Sequence, residues 1–237
     1  MTGIIAHRGD TGAAPENTLA AFRAAGEAGA TGIELDVHLS SDGQLVVIHD
    51  DTLERTTSGS GPVHALSARE LQDLSVGGTS ERIPLLHEVL ALPLMPVIEL
   101  KHGNGRYPGI EEALVRQLGA SGRMSDAVVI SGDPDPLARL RRLHRGLRTL
   151  SFRESTLVPG LDLNSQAADA VLFAPPVGGL WPDITVARAA GFTVFGTTLW
   201  VQRPWAHLAE QVQAGLDFVF TDHVAELSRF LGTVRTR

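Results

Sequence analysis

Two apolar runs carry charge at alternate positions: Gly32-Ile33-Glu34-Leu35-Asp36-Val37 and Pro96-Val97-Ile98-Glu99-Leu100-Lys101. Both read as strands. Strand side chains alternate with a period of two, so Glu34 and Asp36 share one face of the first run, and Glu99 and Lys101 share one face of the second. Carboxylates buried there without partners would each lose several kcal/mol of solvation, so a cation or a chemical task is the natural explanation. His7-Arg8-Gly9 follows the apolar start at residues 3–6 and supplies a third charged strand ending.

Working outward, further β-rich runs fall at 3–8, 44–49, 126–131, 147–152, 170–174, 193–198 and 217–221. Helical patterns fit 17–28, 109–119, 134–144, 183–190, 204–214 and 223–231. Asn17 offers an N-cap for the first of these, with Leu19 and Phe22 spaced i, i+3 behind it. Alternation of strand and helix predicts a parallel sheet, and about eight such units would close a TIM (β/α)8 barrel. One pair of runs breaks the alternation, because little besides Ser40-Ser41-Asp42-Gly43 separates 32–37 from 44–49, and that turn reads as a hairpin. Residues 50–85 are rich in Thr, Ser and Gly, with a modest helical pattern near 67–74. The expected architecture is α/β: one barrel domain over 1–237, with a small insertion after the second strand. Residues 38–85 would form the hairpin and insertion, lying over the catalytic face.

A chain of 237 residues with 43% hydrophobic residues suits a single barrel core. No apolar run approaches the roughly 18 residues needed to span a bilayer. The chain starts in a strand-like run without a secretory pattern, so a cytoplasmic location is expected. A net charge of −7 argues against nucleic-acid or anionic-membrane partners, which require a basic surface. The absence of cysteine excludes disulfides, thiolate metal sites and a cysteine nucleophile. Lys101 is the sole lysine in a chain that otherwise uses arginine, which suggests a position requiring a compact ammonium.

Parallel barrels gather their chemistry at the carboxyl ends of the strands. His7, Glu34, Asp36, Glu99 and Lys101 all fall near such ends, and His49 closes the run Leu45-Val46-Val47-Ile48. Three carboxylates without cysteine favour one hard divalent cation, Mg²⁺ or Ca²⁺. Such an ion together with Lys101 would balance Glu34, Asp36 and Glu99. Arg8 and one protonated histidine would then make the pocket positive and suited to phosphate. Internal salt bridges are a poorer account, because the acids outnumber the basic partners. His7 and His49 form the natural acid and base pair. His38, His64, His87, His144, His207 and His223 read as structural or exposed, and His102 as pointing away from Lys101.

These residues resemble the glycerophosphodiester phosphodiesterase family. The resemblance runs through His7-Arg8-Gly9, Pro15-Glu16-Asn17-Thr18, Glu34-Leu35-Asp36-Val37, Ser41-Asp42-Gly43 and His49-Asp50. It continues at Leu53, Arg55-Thr56-Thr57, Gly59 with Gly61, Ile83-Pro84, Glu99-Leu100-Lys101, Gly215-Leu216-Asp217 and Thr221-Asp222. It implies a TIM barrel that cleaves glycerophosphodiesters to sn-glycerol 3-phosphate and an alcohol with metal assistance. On that resemblance Glu34, Asp36 and Glu99 hold the cation, His7 and His49 exchange protons, and Arg8 and Lys101 contact phosphate. The attacking group is either water or a neighbouring substrate hydroxyl that first forms a cyclic phosphate. Pro15-Glu16-Asn17-Thr18 is sufficiently explained as the start of a helix. The chain departs from the family pattern at Ile130-Ser131-Gly132-Asp133-Pro134 and at Gly196-Thr197-Thr198-Leu199, which bears on the alcohol pocket. Trp200 or Phe152 could wall that pocket.

Three other readings are distinguishable. A lysophospholipase D-like enzyme would act on longer-chain substrates and favour an exposed apolar rim. An amidohydrolase-like barrel would use Lys101 as a metal-bridging carbamate but needs a His-x-His pair at the first strand, where His7-Arg8-Gly9 stands. A non-catalytic binding barrel would normally have lost at least one of the seven groups.

Overall fold

A computed structural model of the protein describes residues 1–101, 105–151, 170–173, 184–199 and 205–234. The barrel strands are β1 (Gly3–His7), β2 (Gly32–Leu39), β4 (Met95–Leu100), β5 (Val128–Ser131), β6 (Arg148–Ser151), β7 (Ala170–Phe173), β8 (Thr193–Thr197) and β9 (Phe218–Thr221). All eight pair in parallel in that order, and β1 pairs with both β2 and β9, so the sheet closes on itself as the alternation predicts. Helices α1 (Leu19–Glu27), α4 (Ile110–Ala120), α5 (Pro134–Leu143), α6 (Ile184–Ala189), α7 (Ala206–Gln213) and α8 (Val224–Val234) follow β1, β4, β5, β7, β8 and β9. Among the described residues, no helix is long and apolar enough to cross a membrane.

Period-two alternation builds two apolar layers. Ile5, Val97, Val128, Ile130, Leu150, Phe195 and Phe220 point inward and fill the barrel. Ile4, Ile33, Leu35, Val37 and Ile98 point outward and bury against Phe22, Leu114, Leu140 and Leu227 of the surrounding helices. Each large apolar side chain fully removed from water in these layers contributes about 1.5–3 kcal/mol. Gly3 leaves room at the barrel floor, since a Cβ there would stand 2.6 Å from the Phe218 ring.

β2 outruns its neighbours, and this positions much of the site. Along one side it pairs with β4 from Gly32 to Val37. Along the other it pairs with β1 only as far as Glu34, and the antiparallel β3 (Leu45–Val47) takes over from Val37 to Leu39. The hairpin at 40–43 therefore extends β2 beyond the barrel rim. The residues after β3 fold around their own apolar cluster of Val46, Ile48, Leu53, Val63, Leu71, Val76 and Ile83. They include α2 (Ala68–Gln72), which starts at a Ser67/Glu70 capping box within the patterned stretch 67–74. α3 (Leu86–Leu90) was not foreseen: it is one short turn and a half, stabilised by Glu88, whose carboxylate accepts from the Leu85 N–H at 2.7 Å.

Candidate active site

The inward positions near the barrel mouth carry the charges. On β2, Glu34 stands level with His7 of β1 and Val97 of β4, Asp36 stands level with Glu99 of β4, and both β2 carboxylates are buried. Glu99 ends the inward face of β4, and the Lys101 main-chain N–H continues that ladder by donating to the Val37 carbonyl at 3.0 Å. One carboxylate oxygen from each of Glu34, Asp36 and Glu99 lies within 4.8 Å of the other two. Lys101 Nζ stands 2.9 Å from Asp36 Oδ1 and 2.6 Å from Glu99 Oε1.

This cluster carries more negative charge than its cations offset. Burial, followed by the nearby Asp36 and Glu99, pushes the Glu34 carboxyl well above the usual range. Burial acts in the same sense on Asp36, yet Lys101, His49 and the Asn17 amide outweigh it and hold that group low. Burial acts to lower Lys101, but Asp36 and Glu99 outweigh it and raise that ammonium above its ordinary range. An all-oxygen donor set whose buried carboxylates crowd one another in this way is chemically suited to a hard divalent cation. Glu34, Asp36 and Glu99 are the residues that could hold it.

The two histidines flank this cup. His7 ends β1, its Nδ1 2.8 Å from Asp222 Oδ1 just beyond β9, and its Nε2 4.0 Å from Glu34 Oε2. His49 lies two residues beyond β3, its Nδ1 2.5 Å from Asp50 Oδ1. Each ring thus uses Nδ1 on an aspartate, and among the described residues its Nε2 makes no hydrogen bond. Asp50 is gripped in turn by Arg55, whose Nε and Nη2 donate to its two oxygens at 2.6 and 2.9 Å. The same guanidinium donates twice to Glu16, at 2.9 and 2.8 Å, and Glu16 accepts from Arg8 at 3.1 Å. A continuous chain of charge-assisted contacts therefore links His49 to Arg8.

Backbone strain is concentrated at the same place. Among the described residues, Arg8 and Asn17 are the two non-glycine residues with positive φ, both 57°. Left-handed backbone costs an L-residue of this kind about 1–2 kcal/mol. At Arg8 it lets the N–H donate to both the main-chain oxygen and Oε2 of Glu34, each at 3.1 Å. The turn then needs Gly9, with φ 86°, because a Cβ there would stand 2.7 Å from the Ala21 Cβ. Asn17 does not cap the first helix, as the sequence led us to expect. Thr18 does, its hydroxyl accepting from the Ala21 N–H at 3.2 Å, while the left-handed turn swings the Asn17 amide into the site to donate to Asp36 at 2.8 Å.

All seven residues singled out from the sequence, His7, Arg8, Glu34, Asp36, His49, Glu99 and Lys101, lie in this one constellation. Glu16, Asn17, Asp50, Arg55 and Asp222 belong to it as well and received no chemical role from the sequence. Each nevertheless lies in a stretch carrying the family resemblance, and Asp50 adjoins His49. Phe152, Trp200 and His102 lie outside the described residues.

Comparison with known proteins follows the same lines. The sequence pattern of the family described as Glycerophosphoryl diester phosphodiesterase matches residues 7–226. A glycerophosphodiester phosphodiesterase from Bacillus altitudinis is 36% identical over 94% of this chain and 95% of its own length. One from Caldanaerobacter subterraneus subsp. tengcongensis is 49% identical over a shorter match, 49% of this chain and 52% of that relative. Among solved structures, a glycerophosphodiester phosphodiesterase from Agrobacterium tumefaciens superposes with a TM-score of 0.81 at 30% identity, covering 95% of this chain and 98% of that one. A phosphodiesterase from Oleispira antarctica, in complex with the product sn-glycerol-3-phosphate, superposes with a TM-score of 0.82 at 27% identity, covering 98% and 97%.

Proposed function

This chain belongs to the glycerophosphoryl diester phosphodiesterase family, and from that premise we propose that it hydrolyses glycerophosphodiesters to sn-glycerol 3-phosphate and an alcohol through the constellation at its barrel mouth. The observation that carries this reading is a cup of three carboxylates flanked by two histidines, each anchored through Nδ1 to an aspartate. When bound by Glu34, Asp36 and Glu99, one divalent cation, Mg²⁺ or Ca²⁺, would supply Lewis-acid stabilisation of charge on the phosphoryl oxygens.

Arg8 and Lys101 bind and orient the phosphate oxygens, Arg8 as a planar fork and Lys101 as a point charge. His7 and His49 move the protons at Nε2: one accepts from the attacking hydroxyl, and the other donates to the departing alkoxide. Asp222 and Asp50 accept from the Nδ1–H groups, which fixes the tautomer with Nε2 available and supports each ring when it becomes charged. The attacking hydroxyl belongs either to water or to the neighbouring position of the substrate.

The direct test measures turnover of a water-soluble glycerophosphodiester, with and without Mg²⁺ or Ca²⁺, in wild type, His7→Ala, His49→Ala and Glu34→Ala. The reading expects turnover lost on chelation and in each variant, and wild-type rates in the variants would overturn it. Lys101→Arg keeps charge but alters shape. Loss of activity there supports a requirement for the compact ammonium, and full activity would show that any nearby cation serves.

A further inference from the structure

His49 sits on an irregular segment beyond β3, yet its main chain is fixed at two points on β2. The Ile48 N–H donates to the Asp36 carbonyl at 3.0 Å, continuing the strand ladder. One residue later the ladder ends, and the His49 carbonyl is met by a side chain, His38 Nε2, at 3.1 Å. His38 lies on the inward face of β2, one alternation past Asp36, with its side chain fully buried. A carbonyl can only accept, so His38 Nε2 must carry the hydrogen, and in the neutral ring Nδ1 is then an acceptor. That lone pair faces the Tyr107 hydroxyl at 2.8 Å. Burial, with Asp51 nearby, pushes the Tyr107 hydroxyl up to about 12, so it keeps its proton to donate. The Tyr107 ring meets His38 edge-on, with centroids 5.5 Å apart. Asp51 Oδ1 stands 3.7 Å from the same Nδ1 and pairs with Arg106 at 3.1 Å. One tautomer of one buried ring therefore satisfies both bonds.

We infer that His38 and Tyr107 are positioning residues for the proposed reaction, holding the His49 main chain so that its imidazole stays registered to the carboxylate cup. Tyr107 belongs to the connection between β4 and α4, so this pair ties the His49 segment to the loop that leaves the strand carrying Glu99. The inference rests on the reading of His49 as an acid or base. Neither His38 nor Tyr107 touches the reacting atoms in this role. Their effect falls on kcat, because misplacing a reacting group by about an ångström costs up to roughly 10²-fold in rate.

The experiment measures kcat and KM for glycerophosphodiester hydrolysis at saturating metal in His38→Leu, His38→Gln and Tyr107→Phe, with thermal midpoints to follow folding. His38→Leu should lose about 10²-fold in kcat with KM little changed. The glutamine amide can present an N–H where Nε2–H was, so His38→Gln should recover most of that loss. Tyr107→Phe removes a single hydroxyl and should fall between wild type and His38→Leu. In a His49→Ala background, His38→Leu should cost nothing more, because residues acting through one group do not add. Wild-type turnover in His49→Ala would overturn the reading of His49 and this inference with it. A slow His49→Ala enzyme in which His38→Leu still multiplies the loss would overturn the inference alone, as would a glutamine variant as impaired as the leucine one.

Discussion

His7 and His49 each present Nδ1 to an aspartate, but the two aspartates arrive by different routes and keep different company. Asp50 follows His49 directly in the chain, and its two oxygens are already shared with the Arg55 fork. Asp222 comes from the opposite end of the fold, 215 residues away, and His7 is the one ion-pair partner found for it among the described residues. A carboxylate shared with a guanidinium spends part of its field on that cation, so on the proposed mechanism Asp50 would act on His49 chiefly through geometry. Asp222, with no guanidinium hydrogen-bonded to it among the described residues, would act on His7 through its charge as well. The lesson is that two similar-looking dyads can divide the work of aiming a ring and of stabilising its charge.

The contrast can be broken at four levels. Replacing either ring, as His7→Ala or His49→Ala, should lower kcat by about 10³-fold, and rates differing by more than tenfold between the two would show that one histidine dispenses with proton transfer. Next come the aspartates: Asp222→Asn should cost about 10²-fold in kcat and Asp50→Asn about tenfold, measured at saturating metal and substrate. The reverse order would mean that the Arg55 contact does not dilute Asp50. Arg55→Gln should lower kcat by less than about tenfold, adding fully to Asp222→Asn but not to Asp50→Asn, since only the latter shares its network.

The smallest effect concerns acid stability. The Arg55 hydrogen bond, helped by His49, holds the Asp50 carboxyl far below its ordinary range despite partial burial. Burial raises Asp222, but His7 outweighs it and leaves that group modestly low. A carboxylate lowered by folding stabilises the protein above its unfolded value, near pH 4, and that stability is lost as pH falls through the folded value. Asp50→Asn should therefore flatten the acid limb of a circular-dichroism unfolding curve more than Asp222→Asn does. Equal slopes would show that the two aspartates contribute alike.

The parts of this arrangement differ in how far the sequence announced them. Barrel strands were legible because apolar alternation is a local property, and the same alternation exposed Glu34, Asp36 and Glu99 as charges on otherwise apolar faces. α3 escaped notice because five residues are too few to establish a helical period. Glu16 and Asn17 looked like ordinary helix-start residues, and nothing in their spacing reveals that the backbone at 17 turns left-handed and delivers the amide to Asp36. Arg55 owes its place to contacts between separate loops, Glu16 on one and Asp50 on the other, and such contacts have no periodicity. Asp222 became visible as a partner of His7 only with the closure of the ring.

That closure also sets an order in time. Synthesis proceeds from the N-terminus, so His7, the three carboxylates, Lys101 and His49 are all made well before β9 exists to pair with β1. A nascent chain halted after β8 would hold every proposed ligand and proton carrier, yet the His7 ring would have no Asp222 to aim it. On the proposed mechanism, β9 thus completes the barrel and the site together, and phosphodiester cleavage at full rate would begin only when β9 meets β1.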